Sequence, residues 1–215
     1  MRGGRQRRVA ATDELLSGYV SGPAAATEAT TRALARLDGA RRVILVEGIS
    51  DQIAVEAVAE RCGTNIAARG IVVVPMGGIH ALPSHLRRMA AMSTGTEVVG
   101  LYDVGEAAVV GRALGCSRDR IAELGFHACV EDLEDELIAA VGVERVVRLI
   151  ESHGDARPLR TLQRQDEWRD RPLASQIRRF IGSGARRKLR YARVLGLDLA
   201  PGRVPHPLRA VLGDD

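Results

Sequence analysis

Several acids fall where a folded chain has little packing use for them. Glu47 follows the apolar run 43–46, and Asp51 lies four residues further on. Asp103 closes the apolar run EVVGLYD, and Glu106 comes three residues later. Glu131, Asp132, Glu134, Asp135 and Glu136 crowd the stretch EDLEDEL. Carboxylates that converge repel one another, and a cation between them removes the conflict. Oxygen donors without a His/Cys set point to the hard ions Mg2+ or Mn2+. Two such ions about 3.5–4 Å apart clamp the attacking and leaving oxygens of a phosphodiester. Asp51 and the acids at 131–136 also fall in first helical turns, where the helix dipole favours carboxylates for structural reasons.

Of the 31 basic residues only Lys188 is a lysine. An ammonium is a compact charge with a tunable pKa, unlike the always-protonated arginine fork. Beside a scissile phosphate it neutralises developing charge or protonates a leaving oxygen. A genome rich in arginine codons would leave the same lone lysine. Gly77 and Gly78 could bring backbone amides at a helix N-terminus against a phosphate, or simply form a tight turn. The stretch GSGARRKL at 182 lacks the second glycine and the Ser/Thr of an ATP-binding P-loop.

The elements that must position these groups alternate. The spacing predicts a helix over 24–37, a buried strand VILVE, and a helix capped by Ser50 and ended by Gly63. A strand IVVVP over 71–75 follows, then a helix from Ile79 to Met92 and a strand over 97–103. Helical stretches run to Leu124, then a short strand GFHACV and a helix from Glu131. β-Branched strands without alternation argue a parallel sheet covered on both faces, hence an α/β fold with about four strands. Beyond Val143 the pattern is helical, with breaks expected at Pro158, Pro172 and 182–184, then a Pro-punctuated tail from Pro201. In such sheets ligands gather at the carboxyl ends of strands, where all the singled-out acids fall.

The 215 residues suffice for a real core, and 46% hydrophobic with 27% charged residues is a globular composition. Aromatics at 3% argue against base-stacking single-strand binders. The net charge of +4 is uneven: residues 157–193 hold twelve basic residues against Asp166, Glu167 and Asp170. That segment can supply phosphate contacts or be a set of solvated helix faces. Cys62, Cys116 and Cys129 are too scattered for a disulfide framework or zinc site, which fits a cytoplasmic setting. Arg2, Arg5, Arg7 and Arg8 open a tail expected to be loosely ordered, without a signal peptide or membrane span.

VEGISD, the Gly77-Gly78 turn and LYDVGE, in that order, resemble the Toprim domain of topoisomerases, primases and certain nucleases. The form VEG-x-x-D is closest to the OLD (overcoming lysogenization defect) nucleases, whose C-terminal part DLEDEL and SGARRKLRYARVLGLDLAPGRVPHPL also resemble. The resemblance implies a Rossmann-like parallel sheet over 41–142, a basic helical extension over 143–215 completing the site, and a tail and helix over 1–40. It implies Mg2+ or Mn2+, one or two ions, at Glu47, Asp51, Asp103, Glu106 and Glu134. Glu47 and Lys188 would be catalytic, and Gly77, Gly78, Arg186 and Arg187 would bind phosphate. Gly105 departs from the family pattern at the second aspartate position, and Glu106 could substitute one residue later. The implied activity is endonucleolytic phosphodiester hydrolysis, with DNA the expected substrate over RNA. A weakened Toprim module that binds nucleic acid or a partner, and a nucleotidyl transferase, are the alternatives. The 40 residues ahead of the Toprim segment are too few for the ATPase that OLD proteins usually carry. The expectation is a stand-alone Toprim protein or one served by a separate ATPase subunit, with room for a homodimer.

Overall fold

A computed structural model describes residues 14–20, 22, 24–91 and 95–213. The basic tail singled out in the sequence lies outside the described residues, as does Met92. The elements are α1 (Ala25–Leu34), β1 (Arg42–Val46), α2 (Ile49–Arg61), β2 (Ile71–Pro75), α3 (Leu82–Ala90), β3 (Glu97–Asp103), α4 (Ala107–Leu114) and β4 (Phe126–Cys129). Then come α5 (Leu133–Val141), α6 (Val143–Ser152), α7 (Ala156–Gln163), α8 (Leu173–Gly182), α9 (Ala185–Asp198) and α10 (His206–Leu212). The four strands form one parallel sheet in the order β2-β1-β3-β4.

The strands read as continuous apolar runs because both faces are covered. On one face Val43, Leu45, Val72 and Val74 pack with Leu82, Met89 and Val110 of α3 and α4. On the other, Ile44, Val46, Val73, Val99 and Leu101 join α2 and residues of α5–α10 in a single core. Helix α2 is buried nearly all round, including Ile53, Ala54, Val55, Ala57, Val58 and Ala59. It lies between the sheet and the C-terminal helices, chiefly α9, so neither side faces water. Gly196 permits that approach: a Cβ there would stand 2.7 Å from Ala57 Cβ and 3.2 Å from Ala54 O. Arg61 Nε donating to Leu199 O at 3.0 Å and Arg193 pairing with Glu60 at 2.6 Å hold α9 on α2.

Three sequence expectations need correction. Ser50 is inside α2, not its cap; the N-cap is Gly48, whose N–H donates to Asp51 Oδ2 at 2.8 Å. The region from Ile79 begins as a 3-10 turn, Ile79–Ala81, before α3. Pro158 lies in the first turn of α7, where a missing N–H leaves no helical bond unmade, so it does not break the helix. The Pro-punctuated tail ends in α10, whose Leu208, Val211 and Leu212 are buried. Arg42 on β1 fastens α10 by donating to Val211 O at 2.9 Å while pairing with Glu97 at 2.7 Å. No helix among the described residues is long and apolar enough to cross a membrane.

Candidate active site

The strand order reverses direction at β1: β2 lies on one side, β3 and β4 on the other. Beyond the carboxyl ends of β1 and β3 the diverging connections leave a crevice, the usual ligand position of open α/β sheets. Glu47 leaves β1 into that crevice. Its carbonyl accepts hydrogen bonds from both Gly77 N and Gly78 N, each at 3.0 Å. The two glycine amides are therefore engaged within the chain and not aimed at a phosphate, contrary to one sequence expectation. Their φ angles of 79° and 115° are the reason for glycine at both positions.

Asp103 ends β3, and Glu106 closes the 3-10 turn Val104–Glu106 that follows. Carboxylate oxygens of Glu47, Asp103 and Glu106 all lie within 4.8 Å of one another. Across the crevice stands a second set. Asp51 projects from the first turn of α2, Glu134 from the first turn of α5 and Lys188 from α9. Lys188 Nζ is 3.1 Å from Glu134 Oε1. Glu47, Asp51, Gly77, Gly78, Asp103, Asp132, Glu134 and Lys188 line one cavity of about 460 Å³.

Residues 131–136 divide their duties. Asp132 caps α5, accepting from Asp135 N at 2.8 Å, and also accepts from Arg178 Nε at 2.8 Å. Glu136 accepts from Val130 N at 3.0 Å. Of the basic residues expected at phosphate, Arg187 is turned elsewhere. It donates to Phe180 O at 3.0 Å and lies 4.2 Å over the Phe180 ring, closing the end of α8. Arg186 does not line the cavity. Sequence reasoning missed His80, whose charge opposes the rise of the Glu106 pKa. Its place in the β2–α3 connection, at the same sheet edge as the acids, was the available signal.

The electrostatics record the crowding. Burial, then Glu134 and Glu47, push Asp51 up to about 7, against the pull of the Gly48 N–H and Lys188. Burial, then Glu47, Asp132 and Glu106, push Asp103 up to about 6. Burial and then Glu47 raise Glu106. Burial raises Glu134 despite Lys188. Burial alone would depress Lys188, but Glu134 and Asp51 outweigh it and hold its pKa above the ordinary value. A carboxylate set raised mainly by burial and mutual repulsion is one that a cation would relieve.

The donors fit a hard divalent ion. They are all carboxylate oxygens, and Glu106 Oε2 is buried without a hydrogen-bond partner. A larger cavity of about 700 Å³ lies between α1 and α2. Its acids are already engaged: Glu56 accepts from Tyr19 Oη at 2.6 Å and Gln52 Nε2 at 3.1 Å, and Glu60 from Arg193 at 2.6 Å. The cavity at the sheet edge differs: it holds Glu47 and Asp103, which pair with no lysine or arginine among the described residues.

A four-stranded parallel sheet in this order, with acids at the ends of its two central strands, defines a Toprim-type domain. Residues 40–104 match the family model for the overcoming lysogenization defect protein-like TOPRIM domain, and the chain carries a Toprim domain close to that of the OLD proteins. The fold is also that of solved OLD C-terminal regions. One, from Burkholderia pseudomallei, is 20% identical with a TM-score of 0.63, over 81% of this chain and 96% of that one. Another, from Xanthomonas campestris pv. campestris, is 21% identical with a TM-score of 0.64, over 83% of this chain and 93% of that one. The shared fold thus extends past the Toprim segment into the C-terminal helices. No curated protein matches the chain.

Proposed function

We propose that the chain is a Mg2+- or Mn2+-dependent nuclease that hydrolyses phosphodiesters, with DNA as the substrate. The observation that carries this reading is the convergence of Glu47, Asp103 and Glu106 within 4.8 Å, with Glu47 and Asp103 lining the same cavity as Lys188. Glu47, Asp103 and Glu106 would hold the ion, and Lys188 would meet the charge that develops on the phosphate. The ion, when bound, supplies Lewis-acid activation of the phosphate and of water. Asp51 buttresses Glu47 by accepting the Gly48 N–H, and the Gly77 and Gly78 amides fix the Glu47 carbonyl. Arg178 steadies Asp132 at the wall of the cavity. The basic residues of 157–193 that face solvent would grip the nucleic-acid backbone.

Plasmid DNA and a structured RNA, each incubated with Mg2+, Mn2+ or EDTA, test the reading. Cleavage should require the divalent ion, vanish in Glu47→Gln and Asp103→Asn, and fall about 10²–10³-fold in Lys188→Met. Gel-shift binding should survive these changes. Retained binding with no cleavage by the wild-type chain would instead favour a binding module, the reading to which Gly105 lends support because it offers no ligand where the family has an acid. Incorporation of labelled nucleotide would indicate a nucleotidyl transferase.

A further inference from the structure

We propose that the Lys188 ammonium occupies the second cation position of this cavity, so that the chain takes up a single divalent ion. The inference rests on the metal-dependent reading above and assigns its stoichiometry. The acids form two sets with different needs. Among the described residues, no lysine or arginine forms an ion pair with Glu47, Asp103 or Glu106, whose oxygens lie within 4.8 Å of one another. The opposite set already contains its cation. Glu134 is only 6% exposed, and Lys188 Nζ stands 3.1 Å from its buried Oε1. The same ammonium attracts the Asp51 carboxylate. Asp132, next in line along the wall, is held by Arg178 at 2.7 Å.

A divalent ion bound to Asp51 and Glu134 would have to displace that ammonium or stand beside it. At about 4 Å, like charges repel strongly in a partly buried site. Asp132, the next acid in this cavity, is already taken by Arg178 and by the Asp135 N–H. Gly105 has no side chain, although a Cβ there would meet nothing within 4 Å. Room exists at that position, but no ligand does. A lysine kept in a chain that otherwise uses arginine fits this role, since a compact ammonium replaces an ion better than a planar guanidinium.

Titration of the metal-free full-length chain with Mn2+, followed by calorimetry and by electron paramagnetic resonance of free Mn2+, reads the number directly. The wild type should bind one ion per chain. Lys188→Met should bind two, and the double variant Lys188→Met/Glu134→Gln should return to one. Glu134→Gln alone should keep the count at one, which tests the idea even if Lys188→Met does not fold. Two ions in the wild type, one ion in a folded Lys188→Met, or a lower count in Glu134→Gln would each overturn the proposal. Uptake of no Mn2+ by the wild type would overturn the metal-dependent reading itself, and the proposal with it.

Discussion

At Asp51 a single carboxylate serves two ends that conflict. Its Oδ2 ties down the Gly48 N–H, a local duty that an amide oxygen could perform equally well. Its pKa, pushed up to about 7 by burial and by Glu134, shows that its negative charge remains a liability even with the Lys188 ammonium nearby. Asp51→Asn should therefore keep the turn and remove the repulsion. The metal-free variant should melt higher than wild type at pH 7.5, by about 2–4 °C if the gain is ~1 kcal/mol. Differential scanning fluorimetry in EDTA measures this, and an unchanged or lower melting temperature would show that the charge is not a burden. At this scale the sequence marked the residue types well. Glu47, Asp103 and Lys188 stood out because strand ends and a lone ammonium have weak structural motives. It could not show that the Gly77 and Gly78 amides would be taken by the Glu47 carbonyl, or Arg187 by Phe180 O. Those partners are set by a neighbouring strand and by the end of a helix, which pair spacing along the chain does not report.

The elements place these residues through a few close approaches. Gly78, with φ 115° and ψ 150°, sits in a region that only glycine occupies readily. Gly78→Ala should cost about 1–3 kcal/mol of unfolding free energy and loosen the turn that grips Glu47. Urea titration gives the stability, and the Mn2+ affinity should weaken in parallel. Gly196→Val addresses the other anchor. The added side chain meets Ala57 and the α2 backbone, so α9 must move away from α2 and carry Lys188 with it. Overpacking of this kind costs about 1–3 kcal/mol. Cleavage should fall in the variant more than its loss of stability explains. The alternation of strand and helix was legible in the sequence because β-branched runs and helical periodicity are local properties. Helix α10 was not, because prolines dominate 201–207 and its buried face is recognised only against Arg42 and the sheet edge.

For the whole molecule, the raised carboxylates couple folding to pH. Asp51 and Asp103 have an ordinary value of 3.8 and are pushed up to about 7 and about 6 in the fold. The folded state thus binds their protons more firmly than the unfolded chain does. The resulting stabilisation is complete below pH 3.8 and is lost as pH rises through 6 and 7. Buried His85 acts in the opposite sense: burial holds its pKa below 6.5, so the fold loses that contribution as pH falls below this range. The metal-free wild type should consequently lose stability relative to Asp51→Asn/Asp103→Asn between about pH 4 and pH 7. Saturating Mg2+ should flatten the difference in the wild type. Melting curves across pH, with and without the ion, would refute the coupling if the two proteins ran parallel.

The sequence by itself determined the α/β class and the four strands, and it singled out the acids and the lysine as candidates, because apolar patterning and residue type are written along the chain. Only the tertiary structure decided that these acids divide into two groups, Glu47 with Asp103 and Glu106, and Asp51 with Glu134 around Lys188. That division depends on a parallel sheet that reverses its order at β1 and on α9 lying against α2. Residues 47 and 106, and 134 and 188, come within a few ångströms only after the chain has paid the entropy of closing those long loops.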